Sequence, residues 1–72
     1  MRNEFTAILQ PGDGEWWIAQ CPEVPGANGQ GRTPGEARAD LAAAIELVLE
    51  YLRDEALKDL SPDARQETVV VG

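Results

Sequence analysis

The chain has 72 residues, of which 13 are acidic and six are basic, and its net charge is −7. A single domain of this length has a small core, so we expect oligomerisation or a partner protein to supply part of the stability. The acidity disfavours direct nucleic-acid binding. The chain has one cysteine and no histidine, which disfavours an internal disulfide or a zinc site. Since there is no long apolar run and no secretory signal, we expect a cytoplasmic protein without membrane contact.

The first third of the chain predicts a β-hairpin. Residues 4–10 alternate between apolar and polar side chains, and residues 15–21 are rich in aromatic and β-branched ones. Between them, PGDG at 11–14 is typical of a turn. Because Trp16 and Trp17 are neighbours in the second strand, they point to opposite faces of the sheet.

A glycine-rich stretch follows the hairpin. Pro22, Pro25 and Gly26 favour a fixed connection, and residues 28–32 form a weak third strand at the edge of the sheet. The glycines do not match a phosphate-binding loop, because no Gly-Lys-Ser/Thr sequence occurs. A structural role is therefore favoured, and pairing of this edge with a second copy or a partner stays open.

A helix start is encoded by TPGE at 33–36. Thr33 is the expected N-cap, Pro34 the first helical residue, and Glu36 the second half of a capping box. The helix is predicted over 34–57, about 36 Å, which exceeds the length of the strands it covers. Helical spacing directs six apolar residues to the core: Ala37, Leu41, Ala44, Ile45, Val48 and Leu52.

The final element is predicted at residues 67–72, where three consecutive valines indicate a strand. After a right-handed crossover through the helix, this strand lies parallel beside the first one. The fold class is thus α+β, with the order β-β-β-α-β in one domain over residues 1–72. A single helix packs on a small mixed sheet and leaves the other sheet face uncovered, which calls for a partner.

The segment from about residue 4 to residue 52 resembles the HicB-like antitoxin family. The resemblance rests on Asp-Gly and an aromatic residue in the hairpin, PEVPG at 22–26, QGRTPGEA at 30–37 and AIELVLEYL at 44–52. It implies a degenerate ribonuclease-H-like fold that neutralises a small basic mRNA-cleaving toxin (HicA-like) and assembles as a homodimer or homotetramer.

Many members of that family also carry a C-terminal DNA-binding domain. Here the predicted last strand takes up the end of the 72 residues. We therefore expect a short stand-alone member that does not itself bind nucleic acid.

Two acidic groups are the candidate contacts for a basic partner. They are Asp13 and Glu15 with Trp16 on the hairpin, and Glu46, Glu50 and Asp54 on the helix. Attraction between opposite charges would speed association with the partner, and added salt would weaken that attraction. Taken alone, the helical row is more typical of a solvated acidic face that binds nothing.

Four side chains are candidate contacts between protomers: Trp16, Ile18, Leu47 and Tyr51. Leu47 and Tyr51 lie off the main core face of the helix. They either pack under the C-terminal segment or contact a second copy.

No catalytic residue, cofactor or metal ligand is predicted. Cys21 is expected to be a buried core thiol, and the strand interiors lack the converging carboxylates of a metal-dependent nuclease. We therefore predict a binding protein that is not an enzyme. The alternative is a stand-alone homo-oligomer that binds another protein or a small ligand, and a hydrolase using Asp13 and Glu15 with Mg²⁺ is disfavoured.

Overall fold

The computed structural model describes residues 4–71. Within that range the elements are β1 (Ile8–Pro11), β2 (Trp17–Gln20), β3 (Asn28–Gly31) and α1 (Pro34–Leu57). The strands form an antiparallel sheet in the order β1-β2-β3. The predicted α+β class, with one helix on a small sheet, is confirmed.

The predicted hairpin is present, with strands shorter than the alternation indicated. Ile8 pairs with Gln20 at its open end. At the closed end the N–H of Gly12 donates to the carbonyl of Trp16 at 2.7 Å. Gly14 has a φ of +63° in this loop, a backbone conformation that favours glycine. Of the predicted strand residues, 4–7 and 21 lie outside the ladder at its open end, and 15 and 16 belong to the loop.

The helix begins at the predicted residue because its first turn is capped. Thr33 is extended, and its hydroxyl accepts a hydrogen bond from the N–H of Glu36 at 3.1 Å. The Glu36 carboxylate reaches back to the N–H of Arg32 at 3.1 Å, one residue before the N-cap. The capping box is thus displaced by one residue, and it ties the helix to the end of β3.

The helix lies directly on the backbone of β3. A Cβ atom at Gly29 would lie 2.6 Å from the carbonyl oxygen of Ala37 and closer still to the backbone nitrogen of Leu41. A Cβ atom at Gly31 would lie 2.5 Å from the Cβ of Glu36. The backbone that approaches these glycines is therefore the chain's own helix.

The core is built mainly from small side chains. Its buried members are Ala19, Cys21, Val24, Ala27, Ala37, Leu41 and Ile45. Leu41 is the large side chain that is buried most completely among the described residues, with 2% of its surface exposed. So small a core gives a domain of this length little stability of its own.

Burial along the helix ends one turn earlier than predicted. Ala44 and Val48 pack against the core, but Leu52 is 55% exposed, so the prediction that Leu52 is a core residue was wrong. The sheet is too short to reach it, because each strand has four residues, about 13 Å.

The end of the helix projects beyond the sheet, as its length predicted. From Val48 to Leu57 the axis advances about 14 Å. The longest dimension of the molecule is 53 Å, and its radius of gyration is 15.7 Å, against about 11 Å for a compact chain of this length. The helix ends where Lys58 becomes extended and Asp59 adopts a φ of +53°.

The predicted fourth strand is not formed. Residues 67–71 have no regular structure and are exposed, and Gly72 lies outside the described residues. Valine favours strands because its side chain packs against neighbouring strands, and within residues 4–71 no strand pairs with this segment. The described sheet is consequently antiparallel, not mixed, and β1 has no parallel partner within residues 4–71.

Candidate interaction surfaces

The acidic helical row runs from the middle of α1 into its projecting part. Glu46, Glu50 and Asp54 are all exposed. Glu46 and Glu50 line an open groove of about 400 Å³ together with Leu49 and Arg53. This groove combines two carboxylates, an apolar side chain and one cation on a helix surface that the sheet does not cover.

The hairpin candidates are exposed but have a different environment. Asp13 and Glu15 lie in the loop, and Trp16 is 46% exposed. The Arg32 guanidinium carbon lies 6.0 Å from the centre of the Trp16 ring, at cation–π distance. A basic group therefore already stands next to this acidic loop.

The two acidic groups are separated along the helix axis. Arg32, beside Trp16, lies two residues before the helix, whereas Glu46 lies twelve residues after Pro34, about 18 Å along the axis. The two groups, both named by the sequence prediction, are therefore separate candidate sites.

The candidate protomer contacts do not form one patch either. Ile18 lies on the sheet face opposite the helix, and Trp16 is next to it in the alternation. Leu47 and Tyr51 are one turn apart on the projecting helix, and Leu47 is 67% exposed. They do not pack under the C-terminal segment, so the apolar surface of the chain has two separate parts.

The outer face of the sheet carries no charge, although 26% of the residues of the chain are charged. It is formed by Ile8, Gln10, Ile18, Gln20, Asn28 and Gln30. Sequence reasoning had isolated only Ile18 here. The alternation of the three strands contained the signal, but the register was needed to place the amides next to one another.

The free edge of β3 is closed by the helix. The N–H of Gln30 donates to a carboxylate oxygen of Asp40 at 3.0 Å, and the N–H of Arg32 donates to Glu36. Unpaired edge amides are what an incoming strand would bind. The sequence-based option of pairing at this edge is therefore disfavoured, and no sequence signal pointed to Asp40.

A third arrangement surrounds Glu23 of the PEVPG stretch. The hydroxyl and the N–H of Thr6 donate to its carboxylate at 2.6 and 2.9 Å, and the Cys21 thiol donates at 3.2 Å. These hydrogen bonds, above all that from the Thr6 hydroxyl, lower the pKa of Glu23 from 4.5 to about 2. Glu23 thus joins the start of the chain to the loop after β2, and Cys21 is buried as predicted.

The depressed pKa of Glu23 predicts a defined pH dependence. A carboxyl with a lower pKa in the folded state stabilises the fold fully above its unfolded value, and this contribution is lost as the pH falls from about 4.5 through about 2. We expect Glu23→Gln to have a lower free energy of unfolding than wild type at pH 7, and we expect this difference to be largely lost by pH 2. Urea unfolding followed by circular dichroism at several pH values measures it.

The matched control for that experiment is Glu15→Gln, whose carboxylate makes none of these contacts. Its free energy of unfolding at pH 7 should stay within about 0.5 kcal/mol of the wild-type value. A gap for Glu23→Gln that stays constant from pH 7 to pH 2 would contradict the assignment.

Comparison with known proteins identifies the family. The UPF0150 protein ssl0738 of a Synechocystis species is 44% identical over 72 residues, which is 99% of this chain and 99% of that protein. The chain belongs to the UPF0150 family. No protein-family model matches it, and no solved structure matches it significantly.

The name of this UPF0150 relative states no activity. In residues 4–71 no helix has the length and apolar character needed to cross a membrane. Over the same range, no three acidic or cysteine side chains cluster closely enough to hold a metal ion.

Proposed function

We propose that this UPF0150 chain is a HicB-like antitoxin-type protein that neutralises a small basic mRNA-cleaving toxin. The observation that carries the proposal is the acidic and apolar groove on the projecting helix, formed by Glu46, Leu49, Glu50 and Arg53. The motifs shared with HicB-like proteins support it, and we assign the sheet and helix to the degenerate ribonuclease-H-like fold of that family. Because the toxin cleaves mRNA, the pair would act in the cytoplasm.

The mechanism is occlusion and needs no catalytic group in this chain. A ribonuclease of this kind binds RNA phosphates with basic side chains. The carboxylates of Glu46, Glu50 and Asp54 attract the same basic surface, and the exposed Leu47 and Leu49 next to them supply apolar contact. Bound there, the helix covers the groups that would otherwise contact RNA.

The helix is a better site for a basic partner than the hairpin. The hairpin offers Asp13 and Glu15, but Arg32 stands beside Trp16 and reduces the local negative potential. On the helix, three carboxylates follow one another at successive turns, Arg53 lines the groove with two of them, and the next cation, Lys58, is paired with Glu55. The mechanism therefore predicts that the helix carries most of the electrostatic attraction.

Charge reversal tests this assignment. We expect Glu46→Lys, Glu50→Lys and Asp54→Lys together to weaken toxin binding at least about tenfold, with restored RNA cleavage by the toxin. The toxin for this experiment is the short basic protein that we expect to co-purify with the wild-type chain from its source cells at low salt. Binding is measured by titration calorimetry, and RNA cleavage is measured on a labelled transcript.

The matched control reverses the hairpin acids, Asp13→Lys with Glu15→Lys, and should leave affinity within about threefold of wild type. Equal losses of toxin affinity in both variants would mean that the net negative charge of the chain, and not the helical site, attracts the toxin. Unchanged binding in the helical variant would remove the helix from the mechanism.

A second function is favoured by the uncharged outer face of the sheet. A stand-alone homo-oligomer that binds another protein or a small ligand would cover Ile8 and Ile18 without any toxin. Recovery of the chain from its source cells only as an oligomer, with no basic protein released by high salt, would favour this alternative.

A further inference from the structure

The two edges of the sheet differ in their hydrogen bonding. At β3, Asp40 and Glu36 accept hydrogen bonds from outward-facing backbone N–H groups. At β1, no such acceptor from residues 4–71 is present for the strand itself. An additional strand would therefore find its hydrogen-bonding partners at β1.

The register shows which groups of β1 are available. The N–H of Gln30 points away from β2, so Gln30 and Ile18 do not exchange backbone hydrogen bonds. The N–H and C=O of Ile18 therefore point toward β1, where they pair with those of Gln10. Gly12 lies two residues after Gln10, so its N–H points to the same side of the chain, and it donates to the carbonyl of Trp16 as this assignment requires. The N–H and C=O of Leu9 consequently face outward, together with those of Ala7.

The C-terminal segment has the properties of the missing strand. Residues 68–71 read Thr-Val-Val-Val, carry no charge and have high β propensity. Val70 is 77% exposed, and residues 58–71 are exposed throughout. Three valines exposed in this way are an aggregation hazard unless another strand pairs with them.

We propose that residues 68–71 of a second copy add to the outer edge of β1, so that two copies exchange their C-terminal strands. Leu9 and Ala7 supply the backbone groups, and Pro11, which lacks an N–H, limits the ladder at its far end. The inference concerns self-association and does not rest on the toxin proposal.

Charge favours a second copy at this position. Two chains of net charge −7 repel each other, and they approach best through uncharged surfaces. Residues 8–11 and 68–71 are both uncharged, and so is the sheet face next to them. A basic protein would instead be attracted to the acidic helix.

The shape of the chain also favours a second copy. The projecting helix carries the C-terminal segment about 14 Å beyond the last core residue. It also leaves Tyr51 and Leu52 uncovered, and the core holds few large side chains. Strand exchange would cover such apolar surface in both copies and supply the stability that a core of this size lacks.

Site-specific cross-linking tests the proposal. A tagged Gln10→Cys chain is co-expressed with an untagged Val70→Cys chain and treated with a short bis-maleimide. We expect a covalent dimer that contains both variants, at a yield at least tenfold above that from Gln30→Cys with Val70→Cys. Gln30 is the matched control because it lies on the same sheet face at the closed edge. The wild-type chain, treated in the same way, shows whether buried Cys21 reacts with the cross-linker.

Two outcomes of the cross-linking would overturn the proposal. One is equal yield at positions 10 and 30. The other is absence of the mixed dimer while the double variant Gln10→Cys/Val70→Cys links within one chain, since the strand would then belong to its own sheet.

A measurement without cross-linker is equally decisive. Val70→Asp should raise the dissociation constant of the dimer at least tenfold in analytical ultracentrifugation, with an unchanged helical signal in circular dichroism. Ala64→Asp adds the same charge to the same segment outside the strand and should have little effect. Equal effects of the two substitutions would contradict strand exchange.

Discussion

Replacing Gly29 with alanine is expected to lower the free energy of unfolding by roughly 3 kcal/mol. The added methyl group would overlap the backbone of the helix at Ala37 and Leu41, and backbone atoms cannot move aside as a side chain can. Because a domain of this length has about 5 kcal/mol of stability, more than half of it would be lost, although the chain would stay mostly folded without denaturant. Urea unfolding followed by circular dichroism, at fixed protein concentration, gives the value.

Gly35→Ala is the matched control for Gly29→Ala. Gly35 lies in the first turn of the same helix, and the nearest atom to an added Cβ there is the Thr33 hydroxyl oxygen at 3.9 Å. Alanine favours helix over glycine, so this variant should gain up to about 1 kcal/mol. Equal stability of the two variants would show that helix and strand are not in backbone contact.

Truncation of Leu41 to alanine is expected to lower the free energy of unfolding by about 3 kcal/mol, because apolar burial is lost and a cavity is left behind. Leu41 reaches the centre of the core between helix and sheet, and no other side chain of its size among residues 4–71 is so completely buried. Its small neighbours, such as Ala19 and Ala27, cannot fill the space. Thermal and urea unfolding both report the change.

Leu47→Ala provides the comparison on the same helix. Its side chain is largely exposed, so the change in unfolding free energy of the monomer should stay within about 0.5 kcal/mol. A loss for Leu41→Ala as small as that for Leu47→Ala would mean that the helix does not pack on the sheet as described.

The acidic helix and the open edge of β1 assign different partners to different parts of the chain. The carboxylates of Glu46 and Glu50 suit a basic protein, whereas the uncharged strand β1 suits a second copy. The two surfaces do not overlap, because one lies on the projecting helix and the other on the sheet. Strand exchange and toxin binding are therefore compatible, and each can fail without the other.

Local features were predicted well because their signals lie within a few residues. The bounds of the helix at 34–57 followed from Thr33, Pro34 and the spacing of the apolar residues, since capping and helical periodicity are short-range. The hairpin followed from alternation around PGDG. Cys21 as a core thiol followed from its position at a strand end.

Features that depend on contacts between distant residues were not predicted. The contact of Asp40 with Gln30 joins residues ten apart in different elements, and that of Glu23 with Thr6 spans 17 positions. Nothing in the local sequence of Asp40 distinguishes a carboxylate that caps a strand edge from a solvated one.

The sequence by itself determined the class of the fold, its hairpin and the length of its helix, because these depend on residue type and local spacing. Only the tertiary structure decided that burial ends at Val48, that Gly29 meets the helix backbone and that the valines at 69–71 remain unpaired. Propensity can mark a segment as a strand, but a strand forms only where a second backbone offers its hydrogen bonds. Whether that backbone is available is a property of the assembled chain.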